Sequence, residues 1–241
     1  MLEVTKTLYL SRLSLNARER AVRRELGDCQ ALHQRLLIAF PQRQVQEGGA
    51  REAFGLLYRV EAATDEGRVP VLVQSCVAPD WSRLPPEYLL PDWDAAEGYA
   101  VKSTDSFHAQ LRDGMGLRFR LRANPTRRVA TPGDPLLGKR VELQREEEQL
   151  AWLVRKGEGG GFGLLDVRTV AGVTDTRANH GVNVLGRRPQ EREGRRRMTF
   201  GSVLFEGRLA ITDADQFRAT MAAGIGSGKA YGFGLLSVAP A

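Results

Sequence analysis

The chain has little of what many enzyme classes require. Only two of its 241 residues are cysteine, Cys29 and Cys76, and only three are histidine. Their spacing matches no zinc site and no disulfide scaffold, so neither a metal nor an oxidising compartment is expected. No stretch approaches the about 20 apolar residues of a membrane span, and the N-terminus lacks the apolar core of a signal peptide. A cytoplasmic protein that does not enter membranes is expected. Aromatic residues make up 7% of the chain, and none forms a pattern for stacking bases on a platform. The nucleotide motifs are missing too. A P-loop needs a glycine five residues before Gly228, where Ala223 stands, and a hydroxyl after Lys229, where Ala230 stands. A dinucleotide fingerprint from Gly224 or Gly226 meets Lys229 or Tyr231 at its third glycine. No cofactor is therefore expected.

Positive charge is abundant and concentrated. The net charge is +6 and the isoelectric point about 9.7, which favours a polyanionic partner. Between residues 118 and 128 lie Arg118, Arg120, Arg122, Arg127 and Arg128 with no acid. The segment 186–197 holds six arginines, among them Arg187, Arg188, Arg195, Arg196 and Arg197, against two glutamates. These two segments carry +9 between them, so the remainder of the chain is net negative by three. In Arg118-Phe119-Arg120-Leu121-Arg122-Ala123, alternation puts the arginines on one face of a strand and the apolar residues on the other. Arginine forks match phosphate geometry. With glycines and Pro189 around it, the second cluster reads as a hairpin tip suited to structured RNA.

Element order suggests an α+β chain of two units, large enough together for sizeable cores. Residues 2–13 form a strand and 14–24 a short helix. Asp28 caps a helix from Cys29 to Phe40, where Leu32, Leu36 and Phe40 form an apolar stripe that Pro41 ends. Strands at 54–62 and 69–77 follow. The second half reads as a strand at 117–123, a helix at 142–156 and a strand at 162–171. Two short strands, 198–204 and 207–211, are split by a turn at Glu206-Gly207. A helix capped by Asp213 follows, and after it the run Gly224-Ile225-Gly226-Ser227-Gly228-Lys229-Ala230-Tyr231-Gly232-Phe233-Gly234, five glycines in eleven residues. Bare N–H groups at Gly226, Ser227 and Gly228 beside Lys229 make a nest for an anion. A flexible loop before a last strand is the plainer alternative.

His33 lies at the edge of the apolar stripe and can face a cleft. Its ordinary pKa, about 6.5, suits proton transfer. Cys29 sits one turn earlier, which raises a Cys/His nucleophile pair, though no third orienting group is visible. His108 and His180 carry no motif.

At this point the chain resembles a family. Leu32-His33-Gln34-Arg35-Leu36, Leu117-Arg118-Phe119-Arg120-Leu121-Arg122-Ala123-Asn124-Pro125, Leu150-Ala151-Trp152-Leu153, Val203-Leu204-Phe205-Glu206-Gly207 and the glycine loop running into Leu235-Leu236-Ser237-Val238-Ala239-Pro240 are similar to CRISPR-associated endoribonucleases of the CasE type. These process crRNA in type I-E Cascade. The resemblance spans essentially the whole chain. It implies tandem ferredoxin-like (RRM-like) domains, at 1–95 and 116–241 with a connector at 96–115. It implies metal-independent cleavage of precursor crRNA at the base of the repeat stem-loop by 2′-hydroxyl attack, leaving a cyclic phosphate, with retention on the crRNA alongside other Cascade subunits.

The family's catalytic histidine maps onto His33, its glycine loop onto 224–234 and its RNA-engaging hairpin onto 187–197. Arg35 or Lys229 would stabilise phosphorane charge. Relatives carry a tyrosine three residues before the histidine, where this chain has Gln30. Glutamine cannot exchange protons as a phenol does, but it can hydrogen-bond sugar or phosphate. A subunit that binds the RNA stem without cutting it is therefore the alternative. A general RNA-binding protein of two RRM domains would need aromatic motifs that are not found.

Overall fold

A computed structural model describes residues 7–41, 53–64, 66–92, 94–132, 134–169 and 200–241. The second arginine cluster, with Arg187, Arg188, Arg195, Arg196 and Arg197, lies outside the described residues. The chain forms two compact units. Among the described residues, the first spans 7–110 together with Ala230–Gly232. The second comprises the described residues of 111–169, 200–229 and Phe233–Ala241.

The first unit is built on the antiparallel strands β1 (Tyr9–Asn16), β2 (Leu57–Val60), β3 (Arg68–Ser75) and β4 (Tyr99–Ser103), in the order β2-β3-β1-β4. Helices α1 (Arg20–Leu26) and α2 (Cys29–Leu37) follow β1, and α3 (Asp105–Gln110) follows β4. Asp28 is the N-cap of α2: its Oδ1 accepts from the N–H groups of Gln30 and Ala31 at 3.1 and 3.2 Å, satisfying two orphan donors of the first turn. The helix buries Leu32 and Leu36 in a core with Leu13, Leu15, Val71, Val73, Phe40 and Phe54. Between β3 and β4, where a ferredoxin-like unit has its second helix, there are two single 3₁₀ turns, Trp81–Arg83 and Pro86–Tyr88. They contribute Trp81, Leu84 and Tyr88 to the same core. The stretch 96–115 thus holds β4, paired with β1, and α3.

The second unit has strands β5 (Gly116–Ala123), β8 (Phe162–Thr169), β9 (Val203–Ile211) and β10 (Leu236–Pro240) in the order β10-β5-β9-β8, all antiparallel. A two-stranded ribbon, β6 (Thr126–Arg128) with β7 (Arg140–Glu142), follows β5. Helices α4 (Glu146–Glu158) and α5 (Ala214–Ala223) complete a β-α-β-β-α-β order. Both units therefore have the ferredoxin-like topology.

In β5 the alternation expected from sequence is realised. Leu117, Phe119, Leu121 and Ala123 are buried, while Arg118 and Arg120 are exposed and Arg122 is half-buried. The core stacks Trp152 on Phe205, ring centroids 6.4 Å apart, and sets Phe162 edge-on to Phe217 at 5.8 Å. Asp213 caps α5, accepting from the Gln216 N–H at 2.9 Å.

Two expectations are corrected. The turn expected at Glu206-Gly207 is instead the middle of the continuous strand β9. Gly207 pairs with Phe119 on one side and Val167 on the other, beside a bulge in β8 between Leu164 and Asp166. A Cβ there would strike the Asp166 carbonyl, so the glycine serves close strand approach rather than a turn. The helix expected from residue 142 starts at Glu146, because Arg140–Glu142 pair with β6 and the Leu143 N–H bonds the Pro125 carbonyl at 3.0 Å.

Candidate active site

In the first unit, Gln30 and His33 stand one turn apart on α2, where residues three apart are neighbours. Both are half-buried. The His33 ring stacks on Tyr58, centroids 6.4 Å apart and planes 21° apart. Tyr58 is buried from β2, and its hydroxyl donates to the Cys29 carbonyl at 3.0 Å. That bond ties the first turn of α2 to the sheet beneath His33. Burial holds the Tyr58 phenol well above its ordinary range, so it stays a neutral donor. The Gln30 Oε1 is buried with no hydrogen-bond partner among the described residues. An acceptor left unsatisfied in this way costs about 1–3 kcal/mol.

Cys29 lacks the character of a nucleophile. The residue is 3% exposed, and burial pushes its thiol pKa up to about 12. A thiolate is therefore absent at neutral pH, which removes the Cys/His pair. Arg35 sits on the same helix but is committed elsewhere. Its Nη2 donates to Glu25 Oε1 at 2.7 Å and its Nε to Oε2 at 3.0 Å, and its guanidinium lies over the Tyr88 ring at 5.2 Å. The Tyr88 hydroxyl donates to the same carboxylate at 2.7 Å. Burial alone would raise the Glu25 carboxyl, but the hydrogen bonds from Arg35 and Tyr88 hold it below its ordinary value. Sequence spacing gave no sign of this triad, since Tyr88 lies 63 positions from Glu25.

The glycine loop is shaped by packing as much as by any ligand. Gly226 has φ +85°, and a Cβ there would lie 3.0 Å from the Trp152 indole. Gly234 has φ +87°, and its Cβ would lie 2.7 Å from the Ile225 carbonyl. The Ile225 N–H bonds the Gly234 carbonyl at 2.9 Å, and the Gly234 N–H bonds the Arg122 carbonyl at 2.8 Å. The Ser227 hydroxyl donates to the Asn124 carbonyl at 3.3 Å. None of these bonds uses the N–H groups of Gly226, Ser227 and Gly228, which are the amides of the expected nest. Lys229 donates from Nζ to the Ala223 carbonyl at the end of α5, at 2.7 Å, as a cation at a helix C-terminus does. Its stem borders a groove of about 330 Å³ with Lys156, Thr220 and Gly224–Gly226. Ala230–Gly232 belong to the first unit, where Gly232 packs on the Tyr58 ring.

On the open face of the second sheet, Arg118 donates to the Pro240 carbonyl at 3.0 Å and Arg120 pairs with Glu206. Arg168 also reaches Glu206, at 3.5 Å, and Arg208 pairs with Asp166. These side chains border a trough of about 700 Å³. Arg127 and Arg128 stand apart from it, on the ribbon. The ribbon also carries Lys139 and Arg140, which sequence reasoning missed. The signal was there: Arg127-Arg128 and Lys139-Arg140 flank a turn-forming Pro132-Gly133-Asp134-Pro135.

The family profile described as "CRISPR associated protein" matches residues 8–240. The CRISPR-associated endoribonuclease Cse3 of Thermus thermophilus is 40% identical over 97% of this chain and 100% of its own length. The CRISPR system Cascade subunit CasE of Escherichia coli is 32% identical over the same shares. A solved structure of Thermus thermophilus Cse3, bound to an RNA representing a pre-cleavage complex, superposes with a TM-score of 0.74 at 38% identity, covering 97% of this chain and 100% of that one. With a match this long and this close, the chain belongs to the CRISPR-associated family that contains Cse3 and CasE.

Proposed function

We propose that the protein is a metal-independent endoribonuclease that cuts precursor crRNA at the base of the repeat stem-loop and works with other Cascade subunits in the cytoplasm. The observation that carries this is end-to-end identity with an endoribonuclease, 40% over 237 residues. The catalytic helix is α2. The 2′-hydroxyl next to the scissile phosphate loses its proton and its oxygen attacks phosphorus. A P–O2′ bond forms, the P–O5′ bond breaks, and the 5′-oxygen leaves with a proton. The products are a cyclic phosphate and a 5′-hydroxyl. His33 is the proton-transfer group. Gln30, one turn before His33 on α2, hydrogen-bonds the sugar or phosphate and so supports alignment in place of a phenol. Lys229 and the Gly226–Gly228 amides are assigned to the charge that builds on the phosphorane. The stem is held through its phosphates by arginines outside α2.

The test is cleavage of a repeat stem-loop in EDTA by wild type and His33→Ala, beside an RNA with a 2′-deoxy nucleotide at the cut. Wild type should cut only the all-ribo RNA. His33→Ala should be slower by about 10²–10⁴-fold with binding retained. Cleavage of the deoxy RNA, or equal rates for the two proteins, overturns the assignment. Tight binding by wild type with no cutting makes the chain a non-cleaving subunit.

A further inference from the structure

Tyr58 bears on His33 at two places at once. It lies in β2, an edge strand of the first sheet, where it pairs with Val73. Although it stands at the sheet's edge, it is 1% exposed. Its ring stacks on the His33 imidazole, centroids 6.4 Å apart and planes 21° apart. Offset aromatic pairs of this kind attract beyond the area they bury. Its hydroxyl donates to the Cys29 carbonyl at 3.0 Å. That carbonyl stands four residues before His33, and an α-helix assigns it to the His33 N–H. A carbonyl has lone pairs for both donors. One side chain thus holds the ring of His33 and the backbone group that anchors it.

A buried hydroxyl is costly without a partner, and phenylalanine or leucine would fill a core position without that cost. A hydroxyl here has a use only through what it holds. It does not stand in for the phenol that CasE-type relatives carry at the position of Gln30: it faces a backbone carbonyl, is buried, and stays a neutral donor. The third neighbour is the glycine loop. Gly232 has φ +87°, and a Cβ there would lie 3.1 Å from Cε2 and 3.5 Å from Cζ of the Tyr58 ring. Ala230–Gly232 belong to the first unit, so this backbone is part of the wall that keeps the ring in place. A histidine on a helix is restricted to two χ1 wells, and a ring packed against the imidazole selects among the orientations that remain.

We infer that Tyr58 is a positioning residue for the cleavage step: backed by Gly232, it sets the His33 imidazole through its ring and the first turn of α2 through its hydroxyl. This rests on the reading that His33 transfers the proton, and it adds the residue that orients it. Being buried, Tyr58 meets neither RNA nor the reacting atoms. It acts on the rate of the chemical step and leaves affinity alone, and a misplacement of about 1 Å in a reacting group costs about 10²-fold.

The test uses the full chain, a repeat stem-loop and two readouts. The first is the single-turnover rate with protein in excess, beside the Kd for the RNA. Tyr58→Leu should slow cleavage by about 10–100-fold with Kd unchanged. Tyr58→Phe keeps the ring and should stay within about tenfold of wild type. Leu84→Ala makes a cavity in the same core and should lower the melting temperature without slowing cleavage. Gly232→Ala should slow wild type, and slow Tyr58→Leu less, because it acts through the ring. The second readout needs no RNA. The chain has three histidines, so the ring-proton NMR signal of His33 is the one that His33→Asn removes. An aromatic face displaces that signal. Tyr58→Leu should return it toward a free imidazole, and Tyr58→Phe should not. Equal, non-zero rates for wild type and Tyr58→Leu overturn the inference, as does a His33 signal that Tyr58→Leu leaves in place. A loss of rate in Leu84→Ala as large as in Tyr58→Leu reduces Tyr58 to a core residue and overturns it too. Should Tyr58→Leu not fold, Gly232→Ala gives the same two readouts, and an unchanged rate with an unmoved signal is fatal. A wild type that does not cut sinks the nuclease reading, and the ring signal then judges the hold on His33 by itself.

Discussion

On the resemblance read from the sequence, Gln30 stands where CasE-type relatives carry a tyrosine, one turn before His33 on α2. An amide can accept from a 2′-hydroxyl but cannot take the proton away. Gln30→Tyr should therefore raise the single-turnover rate, because a phenol is restored three residues before the histidine. Gln30→Ala should lower the rate by about tenfold, the cost of one well-placed hydrogen bond. Single-turnover cleavage of the stem-loop measures both. A rate unmoved by either change would mean that Gln30 does not touch the reacting sugar.

At the scale of elements, the helix that carries His33 is held from two sides. Asp28 caps its first turn, and Glu25, Arg35 and Tyr88 lock α2 against α1 and the second 3₁₀ turn. Removing one partner from a buried ion pair leaves an uncompensated charge, so Arg35→Ala should cost about 3 kcal/mol, read by urea unfolding. Because the Glu25 carboxyl sits below its ordinary value, its contribution is fully present above the unfolded carboxyl range. It disappears as pH falls through the folded value. Unfolding titrations of wild type and Glu25→Gln should thus differ at neutral pH and converge in acid. Curves that remain parallel would assign the triad no net stability. In the second unit, Gly207→Ala should destabilise by about 1–3 kcal/mol through overpacking against the Asp166 carbonyl, with thermal melting as the readout.

Across the whole molecule, what could be foreseen was local. Alternation in β5 placed its arginines and its core residues correctly, because one buried face fixes the register of a strand. The aspartates at 28 and 213 announced their helices because a cap is a contact within three residues. Gly207 misled because a glycine in a strand and a glycine in a turn look alike until the neighbouring strand is known. The β7 strand, Arg140–Glu142, is too short to show a period. The Glu25 triad and the neutralised sheet arginines arise from pairings across tens of residues. Charge clustering in the sequence does not say which arginines meet a carboxylate; only the pairing across strands does.

The missing second helix of the first unit has a consequence for how that unit tolerates change. A helix spreads its burial along a stripe, so losing one side chain leaves its neighbours in place. Here Trp81, Leu84 and Tyr88, in and between two isolated turns, take that helix's place in the core shared with α1 and α2. Each of the three has few neighbours on its own short turn to keep its place if it is lost. Sequence drift, usually tolerated in connecting segments, should be least tolerated in this one, and heat or truncation there should open the unit before its strands separate.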